Sequence, residues 1–134
     1  MFDKTLIIET IEQLEQLIEN LLESTSAIPD IKQLPATADG MLRLNGIYMC
    51  FIVIGEEIKR IDKYSDKQLL PEYPSIPWKR MMGMRDRMAH GYFQIDIDIV
   101  FDALKNEIPP LLEVLKQMKN DLYNMNYLNN LNKV

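Results

Sequence analysis

The stretch 36–63, ATADGMLRLNGIYMCFIVIGEEIKRIDK, decides the fold. Met41, Leu44, Tyr48, Phe51, Gly55 and Ile58 recur at spacings of 3, 4, 3, 4 and 3. That period places them on one face of a helix. The run Cys50 to Ile54 is apolar all round, which predicts burial on more than one side. Gly55 stands on the same face, where glycine costs about 1 kcal/mol of helix propensity relative to Ala. Its presence there predicts a close approach by another helix.

Working outward, Phe2 to Glu23 reads as a first helix. Ile7, Ile11, Leu14, Ile18 and Leu21 are spaced 4, 3, 4 and 3, and Leu17 and Leu22 widen the stripe. Ser24 to Pro35 reads as a connector. After the central helix, Tyr64 to Ile76 carries prolines that forbid a continuous helix. A short helix is expected from Trp78 to about His90, capped by Ser75, with Pro77 in its first turn and Gly91 as its stop. The alternation QIDIDIV (94–100) resembles a strand. Ile97, Val100, Phe101, Leu104 and Ile108 fit a helix face equally well, and Asp96 is a suitable cap, so helix is expected. A break is expected at Pro109-Pro110, then a last helix on Leu111, Leu112, Leu115, Met118 and Leu122. The Asn-rich tail from about 124 to 134 is expected to fray. The reading is a single all-α domain over 1–134, a bundle of four to five helices.

Composition excludes several classes. The chain has 134 residues, 15 Lys plus Arg, 20 Asp plus Glu and a net charge of −5. With pI about 4.9, it is no generic binder of nucleic acid through bulk positive charge. The single cysteine, Cys50, rules out an internal disulfide framework, and the single histidine, His90, rules out two-His zinc motifs. No metal or cofactor is expected. No run of 18 consecutive apolar residues occurs, so no membrane partner is expected. The opening MFDKTLIIETIEQLEQ turns acidic and amphipathic too early for a signal peptide, which leads to the expectation of a cytoplasmic protein.

Chemistry concentrates in Trp78 to Phe93, WKRMMGMRDRMAHGYF. It holds the only Trp, the only His and four cations, Lys79, Arg80, Arg85 and Arg87, against one acid, Asp86. That is a local reversal of sign in an acidic chain. Asp86 and His90 are four apart and share a helix face, so the carboxylate can orient the imidazole and favour its charged form. Arg85 and His90 are five apart, which puts them about 140° apart on an ideal helix. Arginine's length, the helix end near Gly91, or a second subunit is needed to bring them together. A His with an Arg suits metal-free RNA cleavage. The ribose 2′-OH needs a base, the 5′ oxygen needs an acid, and the crowded phosphorus needs a fork of donors. Tyr92 can bind a phosphate oxygen or stack on a base.

Plain structural roles compete with each of these. A His at a helix end serves as a cap. Met81, Met84 and Met88 read as core packing, Trp78 as a core anchor and Cys50 as core filler rather than a nucleophile. Cations on a short helix read as a solvated face.

The segment IPWKRMMGMRDRMAHGYFQIDIDIVFDAL (76–104) resembles the HepT-like toxins of the HEPN superfamily. Their signature is Arg, four residues, His, one residue, Tyr. Here it is carried by Arg85, His90 and Tyr92. Ile76-Pro77-Trp78, Gly83-Met84, Phe93 and Ile54-Gly55-Glu56 also look like the family. Asp86 stands where the family often has Asn. The resemblance implies a HEPN-type homodimer acting as a metal-independent endoribonuclease on tRNA or mRNA. Arg85 and His90 would be catalytic in a cleft at the dimer interface, supported by Asp86 and Tyr92. Lys79, Arg80 and Arg87 would contact RNA. It further implies a type VII-like toxin–antitoxin pair, in which an MntA-like nucleotidyltransferase antitoxin transfers AMP onto Tyr92. Two alternatives stand beside it. One is a non-catalytic helical module that pairs with a nucleotidyltransferase. The other is a structural dimer in which Arg85 and His90 make interface hydrogen bonds.

Overall fold

The computed structural model describes residues 2–89 and 96–132, with the side chains of 89 and 126–132 left aside. Helix α1 spans Lys4–Ser26 and begins where the Asp3 carboxylate accepts from the Leu6 N–H at 3.1 Å. It buries Ile7, Ile11, Leu14, Ile18 and Leu21, the face that the period predicts. A 3-10 turn, Ile31–Ala36, comes next, started by Asp30 and seated by buried Ile31 and Leu34. Helix α2 spans Ala38–Tyr64 and is capped by the Thr37 hydroxyl, which accepts from the Gly40 N–H at 2.9 Å.

Helix α2 is the centre of the bundle. Leu44, Ile47, Tyr48, Phe51, Ile54, Ile58 and Ile61 are all buried, so it packs on more than one side. Each such apolar side chain stabilises the fold by about 1.5–3 kcal/mol when fully buried. Among the described residues it is the one helix long and apolar enough to cross a membrane by length and composition. Its neighbours are α1, the 3-10 turn and the two short helices that come after it in the chain.

The irregular stretch after α2 is tied down by two polar groups. The Tyr73 hydroxyl donates to Asp121 at 2.5 Å, and burial, then this hydrogen bond, pushes the Tyr73 pKa well up. The Trp78 indole N–H donates to the Tyr73 carbonyl at 2.9 Å while its ring is buried. Pro77, not Ser75, occupies the cap position of the next helix, and no side chain caps it. The expected helix from Trp78 to His90 is interrupted. Helix α3 covers Trp78–Met82 and helix α4 covers Met84–Ala89, with Gly83 between them. Glycine's weak helix propensity permits the break. The Met81 and Met82 carbonyls lie against Gly55 of α2, where a β-carbon would stand 3.0 and 3.4 Å from them. The close approach expected at Gly55 is therefore present, and buried Met81, Met84 and Met88 pack below it.

Helix α5 spans Ile97–Asp102, with Asp96 accepting from the Asp98 N–H at 3.0 Å. The helical reading of 94–100 holds over its described part; 94 and 95 lie outside the described residues. No break occurs at Pro109-Pro110. A π turn, Ala103–Glu107, runs into helix α6, Ile108–Asn132, and the Ile108 N–H reaches the Ala103 carbonyl. The prolines fall where the π turn passes into α6, and each forgoes a backbone hydrogen bond there. The wider π turn gives their rings room. The helical backbone continues to Asn132, through most of the stretch that composition suggests is frayed. Helix α6 closes on α1 through Lys119–Glu15 at 2.9 Å and Tyr123–Glu12 at 2.8 Å.

Candidate functional site

The site is built around α4. Its apolar side, Met84 and Met88, is buried towards α2, and α2 and α4 are in direct contact. Its polar residues are therefore turned outward. The Arg85 side chain is 61% exposed and faces Glu56 of α2 at 3.8 Å. Glu56 also accepts from Lys59 at 3.4 Å. A pair so long and so wet contributes roughly 0–1 kcal/mol, so it yields readily to another anion.

Arg87 lies two residues on, about 200° around the helix. Its guanidinium meets both oxygens of Glu107 at 3.5 Å. Arg80 of α3 forms an ion pair with the same carboxylate, its Nε 2.8 Å from the oxygen. Glu107 is only 13% exposed, so this bridge is far less screened than the Arg85 pair. Arg80 and Arg87, with Asp98, Ile99 and Asp102 of α5, line a cleft of about 560 Å³. Lys79 is exposed, as is Asp86.

The fold thus separates the predicted cations into two groups. Arg85 stands on Glu56, while Arg80 and Arg87 share Glu107. The local excess of positive charge read from 78–93 is offset by carboxylates from other elements, which that segment could not reveal. Neither Glu56 nor Glu107 is marked by its chemistry as part of the site. Glu56 has a trace, in Ile54-Gly55-Glu56. Glu107 has none, because the π turn that places it leaves no simple periodic mark. His90 and Tyr92 lie outside the described residues, and so does the Asp86–His90 contact. Among the described residues no cluster of three or more His, Cys, Asp or Glu is placed to hold a metal ion.

A larger cavity of about 900 Å³ lies away from the motif, between α1 and α2. Leu17, Leu21, Ile28, Ile47 and Cys50 contribute its apolar lining. Burial raises the Cys50 pKa, which disfavours the thiolate and agrees with a packing role.

An all-α bundle with a short, Arg-bearing helix laid across a long central helix is a HEPN-type helical domain. Within that class, the chain belongs to the family described as Ribonuclease HepT-like, whose model matches residues 7–118. That range takes in Arg85, His90 and Tyr92. The chain is 37% identical over 76 residues to "Putative RNase MJ0125" of Methanocaldococcus jannaschii, covering 57% of this chain and 62% of that protein. It is 36% identical over 76 residues to "Putative RNase MJ1216" of the same organism, covering 57% and 60%. It is 41% identical over 59 residues to "Probable ribonuclease HepT" of Thermococcus cleftensis, covering 44% and 50%. The matched segments thus span between half and two-thirds of these relatives. No solved structure gives a significant match.

Proposed function

We propose that the chain is a metal-independent endoribonuclease that cleaves tRNA or mRNA, the toxin of a type VII-like toxin–antitoxin pair. The observation that carries this reading is Arg85: exposed, weakly paired, and five residues before His90 in a HepT-like chain. In the proposed reaction the ribose 2′ oxygen attacks phosphorus and the bond to the 5′ oxygen breaks. His90 takes the proton from the 2′-OH and returns one to the departing 5′ oxygen, and Arg85 exchanges Glu56 for the phosphorane oxygens. The products are a 2′,3′-cyclic phosphate and a 5′-hydroxyl. An MntA-like nucleotidyltransferase would silence the site by transferring AMP from ATP onto Tyr92 with release of pyrophosphate, adding charge and bulk to the motif. The test is RNA cleavage by purified protein in chelator, beside His90→Ala, after intact mass shows no adduct. Cyclic-phosphate ends from wild type alone are expected.

The working unit in this proposal is a homodimer. Leu42 and Met49 of α2 are 69% and 59% exposed, and around Gly46 a β-carbon would meet nothing within 4 Å. These three positions are spaced 4 and 3, so they share a face. Glu56, seven residues beyond Met49, continues that face to Arg85. A second copy on this face would bring two motif helices to one cleft. Gly46→Arg is expected to yield monomers by sedimentation and to reduce cleavage, with the helical spectrum kept. An unchanged association state would remove this face from the interface.

The Glu107 bridge favours a second reading, a non-catalytic module that pairs with a nucleotidyltransferase. It withdraws Arg80 and Arg87 from RNA. Under that reading, clean and folded wild-type protein cleaves no RNA and does not arrest growth when expressed alone.

A further inference from the structure

Arg80 and Arg87 read as RNA contacts in the sequence, yet the structure binds both to one carboxylate. We infer that Glu107 is a positioning residue: it clamps the motif helix α4 so that Arg85 faces outward. This inference rests on the ribonuclease reading for its catalytic consequence, and on geometry for the clamp itself.

Helix α4 has six residues, Met84–Ala89. A helix so short does not hold its own conformation in water, so its orientation is set by what grips it. Met84 and Met88 provide one grip, apolar and buried. The second is polar. Glu107 meets Arg87 with both carboxylate oxygens and also forms an ion pair with Arg80, so one side chain ties α3 and α4 to the π turn. Fork-to-fork pairing fixes direction as well as distance.

The two sides of α4 differ in strength. On one side Glu107 is 13% exposed; on the other Glu56 is 38% exposed and its pair with Arg85 is 3.8 Å long. Arg85 and Arg87 are about 200° apart and flank the buried Met84 and Met88 side of the helix, so a grip on Arg87 resists the rotation that would carry Arg85 away from its exposed position. The more buried carboxylate, with contacts to two arginines, sets the helix, and the exposed single pair releases its arginine to an incoming phosphate. Glu107 reaches this place through the π turn. Such a turn carries one more residue than an α-helical turn, which rotates the downstream helix by about 100°.

The test uses hydrogen exchange of the full chain, read by mass spectrometry on peptides covering 84–89 and, as control, α1. In Glu107→Gln, which keeps the shape and removes the charge, exchange at 84–89 should rise about tenfold while α1 is unchanged. Glu107→Asp, which keeps the charge, should stay closer to wild type. In RNA cleavage, Glu107→Gln should lower kcat with KM within about twofold. If Glu107→Gln loosens α1 as well, Arg87→Lys carries the same comparison, since it keeps the charge and loses the fork. Unchanged exchange at 84–89 would overturn the proposal. So would an Asp variant no better than the Gln variant, or tighter RNA binding with undiminished kcat. A wild-type protein that cleaves no RNA removes the ribonuclease reading alone; the exchange result still decides the clamp.

Discussion

Arg85→Ala is expected to lower RNA cleavage by about two to three orders of magnitude, the usual cost of removing one donor aimed at a charge that develops in the transition state. The fold should be indifferent. The side chain is 61% exposed and its ion pair with Glu56 spans 3.8 Å. Loss of such a pair moves the melting temperature by no more than about 4 °C. Arg85→Lys keeps the charge and loses the fork, so it should recover only part of the rate. Combining Arg85→Ala with His90→Ala should add little, because residues that act on one transition state are not additive. Steady-state cleavage of a labelled RNA with a parallel thermal melt checks this. Full activity in Arg85→Ala would end the catalytic assignment.

Gly55→Val should be the most damaging single change among those considered for the protomer. A β-carbon at Gly55 would stand 3.0 Å from the Met81 carbonyl oxygen, 3.4 Å from that of Met82 and 3.5 Å from the Met84 β-carbon. Two of these three neighbours are backbone and cannot swing aside. Valine adds two further carbons at a branched, stiff position, so α3 and α4 must move off α2. The expected cost is about 2–3 kcal/mol, read as a lower urea midpoint at unchanged slope. Gly55→Ala should lie near wild type, because about 1 kcal/mol gained in helix propensity offsets the tighter contact. A Val variant as stable as wild type would show that α4 does not rest on this glycine.

Much of the bundle was legible because burial writes a period into a helix. The 4, 3, 4, 3 face of α1 and the 3, 4, 3, 4, 3 face of α2 are the faces that the fold buries, with Met41 only partly covered. Gly55 was legible for the same reason, as a residue without a side chain on a buried stripe. Local breaks were harder. Ser75 has the right chemistry for a cap, but Pro77 takes that position. Pro109-Pro110 has the right chemistry for a break, but a π turn carries the helix through. The break at Gly83 is hidden because the apolar spacing of Met81, Met84 and Met88 runs across it. In the site, the charge of Arg80 and Arg87 was plain, and their partner was not. Glu107 lies 20 residues beyond Arg87, a pairing that tertiary structure alone defines.

The closure of α6 on α1 has a consequence for the order in which the protein can become itself. As the chain is made, α1 emerges first among the described elements and α6 last. The Tyr73–Asp121 and Lys119–Glu15 links both wait for the middle of α6. Arg85 is made well before them, and before Glu107. A nascent chain therefore carries its motif while the clamp and the closing wall are still unmade. Under the proposed ribonuclease reading, synthesis itself delays the moment at which the site can act.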